Sequence, residues 1–114
     1  MEDCVFCKII AGQIPSDIVY RDDTVVAFKD INPVTKIHLL IVPREHIAYL
    51  TDITEKNSTL IVRMIMAANK IAQQMGVDKT GFRVVINCGE QGGQMVKHLH
   101  MHLLAGGRLS DKMG

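Results

Sequence analysis

The chain has 114 residues, 47% of them apolar and 22% charged, with a formal net charge of +1. This length fits a single domain, residues 1–114, around one modest core, and the near-neutral charge gives no electrostatic case for binding nucleic acid or an anionic membrane. With three Phe, two Tyr and no Trp, a stacking platform for single strands is excluded, and no apolar run approaches the ~20 residues that cross a bilayer.

In chain order, "VFCKIIAGQIP" sets Val5, Phe6, Ile9 and Ile10 at helical spacing, with Gly12 and Pro15 as stops, and predicts a short helix. "DIVYRDD" and "TVVAFKDI" alternate around Asp22-Asp23 and predict a hairpin. After the Asn32-Pro33 turn, "KIHLLIVP" is a β-rich run ended by Pro43, read as a central strand. Leu60, Ile61, Met64, Ile65, Ala68, Ile71, Ala72 and Met75 recur three and four apart, giving the stripe of a helix of about five turns. It starts between Glu55 and Thr59, with Thr54 or Ser58 as cap and Gly76 after its end. "FRVVINC" reads as a strand, "GEQGGQ" as a loop and "KHLHMHLL" as the last strand. Hairpin-like links, with helices kept apart from the strand runs, predict an α+β fold with an antiparallel sheet.

The last strand carries three of the five histidines: His98, His100 and His102. Side chains at every second strand position share a face, so the three form a row and Leu99, Met101 and Leu103 pack under the long helix. Neighbours in the row stand roughly 6.7 Å apart and the outer pair about 13 Å, too far for all three to meet one zinc ion at about 2.1 Å. A row with divided labour fits better, with one imidazole as nucleophile and others binding a phosphate or moving a proton. The alternative is a solvated polar face on an edge strand. "GEQGGQ" could turn backbone N–H groups towards an anion, or be a plain turn.

"HLHMHLL" matches the signature His-φ-His-φ-His-φ-φ, with φ apolar, of the histidine triad family of nucleotide hydrolases and transferases. "VFCKIIAGQIPS", "VVAFKDINPVTKIHLLIVPREHI" and "VVINCGEQGGQMVKHLHMHLLAGGR" extend the resemblance to its nucleotide-binding (Hint) branch over nearly the whole chain. The resemblance implies a five-stranded antiparallel sheet with a short N-terminal and one long helix, in a homodimer whose sheets join into ten strands. It gives His100 the attack on the α-phosphorus of a purine nucleotide derivative, such as an AMP phosphoramidate, and His102 the phosphate and leaving group. His38 would stand near the α-phosphate and the nucleophile, although by itself it reads as a satisfied polar residue in a buried strand. Asp30 would hold the ribose hydroxyls, an acceptor facing a diol. Val5, Phe6, Ile9, Phe28, Ile31 and Leu40 would line the base pocket, and each could equally be core. Asn87, Gly93, Gln94 and Val96 would surround the phosphate.

Two departures bear on selectivity. Met95 stands where animal members of the branch have a serine, and a thioether donates no hydrogen bond, although the Met95 backbone N–H can. The tail "GGRLSDKMG" lacks the tryptophan of those members.

Cys4 and Cys7 have the spacing of half a structural zinc site. No second C-x-x-C exists, and resemblance to bacterial relatives implies His46 in "PREHI" and His98 as the other two ligands, with His98 serving the zinc, the catalytic row of His38, His100 and His102, or each in different states. Such a zinc would be structural, with none needed for the chemistry; the alternative is two reduced thiols and a solvated His46. A redox pair is disfavoured because no thioredoxin-like βαβ context surrounds it. The odd cysteine count and the acidic Met1-Glu2-Asp3 start, unlike a signal peptide, favour a cytoplasmic protein. The function expected is a phosphoramidase or nucleotidyl hydrolase. The alternatives are a nucleotide-binding interaction module with little turnover and a hydrolase with zinc on the triad.

Overall fold

The computed structural model describes residues 3–113; Met1 and Glu2 of the acidic start, and Gly114 of the tail, lie outside them. Chain order is α1 (Val5–Ile10), β1 (Ile18–Arg21), β2 (Val25–Lys29), β3 (Ile37–Pro43), a 3₁₀ turn (Leu50–Asp52), α2 (Thr59–Gln74), β4 (Arg83–Val85) and β5 (Met101–Ala105). The strands make one antiparallel sheet in the order β1-β2-β3-β5-β4, the α+β architecture expected. In the β1–β2 hairpin the Asp22 carboxylate accepts from the N–H groups of Thr24 and Val25 at 2.8 and 2.7 Å, which fixes the turn.

Strand alternation sorts the core into two layers. Val25, Ala27, Leu39, Ile41, Leu99, Met101 and Leu103 pack with Met64, Ala68 and Ile71 of α2. Val26, Phe28, Leu40 and Val42 look the other way and pack with Phe6 and Ile9 of α1. The central strand is thus buried on both faces, as its continuous apolar run predicts.

Helix α2 ends as expected. Gly76, at φ +73°, occupies the left-handed position, and the N–H groups of Gly76 and Val77 return to the carbonyls of Gln73 and Ala72 at 3.2 and 2.9 Å. Its start differs. Ser58 is already helical and its hydroxyl donates to the Glu55 carbonyl, while Thr54 closes a separate turn with Asn57. Neither side chain caps the helix. Ile65 and Met75, expected in the apolar stripe, are 45% and 36% exposed because they lie at its margins, and Ala67 is buried instead.

The last two strands are shorter than expected, for one shared reason. Ahead of Met101 the chain bends out of the sheet: His98 N–H bonds the Val96 carbonyl and Leu99 N–H bonds the Ile47 carbonyl at 2.6 Å. His98 and His100 therefore precede β5, and only His102 lies on it. β4 pairs with β5 as far as Val85 and His102, so Ile86–Cys88 face no strand.

Candidate functional site

His38 on β3 and His102 on β5 sit diagonally across the ladder, since Leu40 pairs with His102 and His38 with Leu104. The diagonal lets the rings meet, His38 Nε2 to His102 Nδ1 at 2.9 Å. Val34 N–H donates to His38 Nδ1 at 3.1 Å. A neutral His38 therefore carries its proton on Nε2, donates it to His102, and leaves His102 with its own proton on Nε2.

His100 is 5% exposed, and its Nδ1 is 2.7 Å from the His98 carbonyl oxygen. A carbonyl only accepts, so Nδ1 holds the proton and Nε2 presents a lone pair. The His100 and His102 rings lie edge to face, with centroids 5.1 Å apart. One ring thus offers a nucleophilic nitrogen and its neighbour an N–H donor. Burial keeps both neutral: it lowers the pKa of His100, and, with His100 and His38 nearby, that of His102 to about 4.

Asp30 lies beside this pair, its carboxylate 3.4 Å from His38 Nε2 and accepting from Asn32 N–H at 2.8 Å. Asp30, His38 and His102 bring one ligand atom each within 4.8 Å. Those atoms already face one another as donor and acceptor, as in a proton relay.

A second cluster lies behind His100. Cys4, at the N-cap of α1, Cys7, His46 and His98 bring their ligand atoms within 4.8 Å of one another. Cys4 Sγ is 3.3 Å and Cys7 Sγ 3.6 Å from His98 Nδ1, and Cys7 Sγ is 3.3 Å from His46 Nδ1. Ligands on a tetrahedral zinc, with bonds of about 2.0–2.3 Å, stand roughly 3.4–3.8 Å apart, so two sulfurs and two nitrogens fit such an ion. The wholly buried His98 has Nε2 2.9 Å from the Pro43 carbonyl, which puts its proton there and turns the Nδ1 lone pair to the thiols. Without a cation, burial and the adjoining Cys4 thiol push Cys7 up to about 11.

Of the predicted pocket residues, Phe6, Ile9, Phe28 and Leu40 are buried together. Val5 is 37% and Ile31 89% exposed, which leaves both outside the buried cluster. Val5, Met95 and Val96 line a cavity of about 470 Å³ with Asp3, Cys4, His46 and Lys97, a lining that includes two of the metal-ligand candidates and none of His38, His100 and His102. Around the Gly-rich loop, Gly93 N–H and Gln94 N–H return to the carbonyls of Glu90 and Gly89, and Asn87 Nδ2 donates to Gly92 O. The Gln94 side chain accepts from Gly89 N–H and donates to the carbonyls of Ala48 and Val96. It braces the loop against the segment that follows His46. The groups that sequence reasoning missed are backbone ones: the Pro43 and His98 carbonyls and the Val34 amide, which no residue type announces.

The family model described as "Scavenger mRNA decapping enzyme C-term binding" matches residues 3–113. The purine nucleoside phosphoramidase of Escherichia coli (strain K12) is 47% identical over 105 residues, 92% of this chain and 88% of that protein. A 14 kDa zinc-binding protein of Brassica juncea is 42% identical over 110 residues, 95% of this chain and 96% of that one. Among solved structures, a HIT family hydrolase from Clostridium thermocellum superposes with a TM-score of 0.96 at 47% identity, covering 99% of this chain and 98% of the other. The chain belongs to the histidine triad family.

Proposed function

We propose that this protein is a purine nucleotide-binding phosphoramidase, a hydrolase acting at the α-phosphorus of AMP-type phosphoramidates and related nucleotidyl derivatives. The observation that carries the reading is the hydrogen bond from His100 Nδ1 to the His98 carbonyl, which leaves Nε2 as a buried, neutral nucleophile. In the first step Nε2 bonds to phosphorus as the P–N bond to the amine breaks, and the amine leaves with a proton. His102 Nε2–H donates a hydrogen bond on that side, and the proton that the amine carries away comes from solvent. The nucleotidyl-imidazole so formed is cationic while Nδ1 keeps its proton, and the His98 carbonyl stabilises that charge. Water then cleaves the N–P bond, releasing the nucleotide and a proton to solvent and restoring neutral His100. The buried Phe6, Ile9, Phe28 and Leu40 cluster suits a purine, and Asp30 a ribose diol. The identity to the Escherichia coli phosphoramidase supports the substrate class.

Turnover of a fluorogenic adenosine phosphoramidate by the wild type and by His100→Ala tests the reading. Wild-type turnover no faster than the variant's overturns it. In that case tight AMP binding supports a nucleotide-binding module, the reading that Met95 favours by placing a thioether, 90% exposed, where the leaving group would want a donor.

Cys4, Cys7, His46 and His98 hold a structural zinc in this proposal, supported by the S₂N₂ donor set and by the zinc-binding relative. The ion ties α1 to the segments carrying His46 and His98 and takes no part in the chemistry. Undiminished turnover after its removal rules out a catalytic metal on the triad.

The protein is proposed as a homodimer. β4 is an edge strand with Val84 42% exposed, and α2 exposes Val62, Ile65 and Met66. Pairing of two β4 edges would cover an open strand and give a ten-stranded sheet. Sedimentation at a mass near 12.7 kDa overturns the dimer. Reduced thiol ligands suit a cytoplasmic location, and among the described residues no helix is long and apolar enough to cross a membrane.

A further inference from the structure

We infer that helix α1 couples the metal site to the nucleophile, so that zinc and the nucleotide bind this protein cooperatively, each tightening the other. The inference rests on the zinc and nucleotide readings above and adds a linkage that neither requires.

α1 has six residues, too few to be stable alone, so its position depends on what it touches. One set of contacts is the thiols: Cys4 and Cys7 reach His98 and His46. The other is the ring between them in sequence. Phe6 lies edge-on to His98, His100 and Phe28, with centroids at 5.9, 5.1 and 5.5 Å. The helix and its N-cap residue therefore carry two of the four metal ligands and press an aromatic ring against the nucleophile.

A second connection runs through the backbone. His98 and His100 precede β5 and lack its ladder, yet the His98 carbonyl holds His100 Nδ1. The His98 ring is fixed by the Pro43 carbonyl on one nitrogen and by the thiol cluster on the other. An ion on Cys4, Cys7, His46 and His98 would lock both connections in the geometry a bound nucleotide needs. A nucleotide seated on Phe6 and His100 would in turn hold α1 and His98 where the ion needs them. By linkage the two factors are equal.

The test is a binding cycle on the full chain. Zinc affinity is measured by competition with a chromophoric chelator, with and without saturating AMP, and AMP affinity by calorimetry on zinc-loaded and chelator-treated protein. Expected is a gain on the order of tenfold in each direction, equal within error. Phe6→Leu keeps an apolar side chain and all four ligands, and comparison of its own two metal states should give a factor below about twofold. Zinc binding with no change in AMP affinity overturns the coupling and leaves the zinc reading standing. Absence of zinc binding overturns that reading and the coupling with it, and absence of AMP binding in both metal states does the same for the nucleotide reading. An undiminished factor in Phe6→Leu overturns the part assigned to α1.

Discussion

His38 Nε2 stands 2.9 Å from His102 Nδ1, and this hydrogen bond, with the Val34 N–H on His38 Nδ1, decides which nitrogen of each neutral ring carries a proton. Val34 N–H fixes the far side of His38, so the order of donors runs from a backbone amide through two imidazoles to His102 Nε2–H. His38→Ala removes the donor that sets this order. Expected is a fall in kcat of about tenfold, less than the 10²–10⁴ of a group at the reacting bond because His38 acts through His102, with KM nearly unchanged. His38→Gln retains an N–H₂ donor towards His102 and should recover part of the loss. Equal kcat for the two variants would show that a donor at this position does not set the proton order of His102.

The same ring sets a pH dependence of stability. Burial, with His100 and His38 beside it, lowers His102 to about 4 from 6.5. Between those values the unfolded chain binds a proton that the folded one refuses, so stability rises with pH across this window. The contribution is complete above about pH 6.5 and is lost as pH falls towards 4, below which both states are protonated. Its upper bound is on the order of 3 kcal/mol, reduced by the part of the ring that meets solvent. Urea unfolding of wild type and His102→Asn from pH 4 to 7 measures it: the wild-type curve should be the steeper, and parallel curves exclude His102 as the source.

Gln94 is a brace in this fold. Its oxygen accepts from Gly89 N–H at 2.9 Å and its nitrogen donates to the Ala48 and Val96 carbonyls at 2.7 and 2.9 Å. Gln94→Leu should cost about 2–4 kcal/mol in urea unfolding, since three part-buried groups lose their partners. Gln94→Glu should cost at least as much, because a carboxylate oxygen would then face two carbonyls. A loss under about 0.5 kcal/mol in both would mean that water replaces the side chain without penalty.

How far the sequence carried this picture depends on the kind of information each feature needs. The α2 stripe was legible because three-and-four spacing is a property of the helix itself, while the exposure of Ile65 and Met75 depends on how wide a surface β2 and β3 offer it. Strand spacing correctly put Leu99, Met101 and Leu103 under α2, but it also placed His98 on a strand that begins only at Met101. The bend that turns His98 to the thiols is made by Leu99 N–H bonding Ile47 O, a contact across 52 residues that no local pattern encodes. The approach of Cys4 and Cys7 to His46 and His98 was accessible through the family resemblance and not through spacing, which supplied only the cysteine pair.

The Gly92 position gives a test of the loop that follows β4. A Cβ built on Gly92 would stand 2.4 Å from the Cys88 carbonyl oxygen and 3.1 Å from its N, both backbone atoms that cannot swing aside. Gly92→Ala must therefore shift the loop, and the Asn87 Nδ2 bond to Gly92 O goes with it. Expected is a destabilisation of about 1–3 kcal/mol, with amide-proton shifts concentrated in residues 87–94. Unchanged stability and spectra would mean that the turn has a second, unstrained conformation.

Met95 is the residue whose replacement should alter selectivity without altering the fold. Its side chain is 90% exposed and belongs to neither apolar cluster, so Met95→Ser should change stability by less than about 0.5 kcal/mol. A serine hydroxyl can donate to a departing amine nitrogen where a thioether cannot. For alkylamine leaving groups, which need a proton to depart, kcat/KM should rise about fivefold, the equivalent of about 1 kcal/mol from one hydrogen bond. For an aryl leaving group that departs as a stable anion the rate should hardly change. The comparison of the two substrates isolates the leaving group, because the nucleotide half is the same in both. An equal gain on both would place the effect in nucleotide binding, and no gain on either would put residue 95 out of reach of the scissile bond.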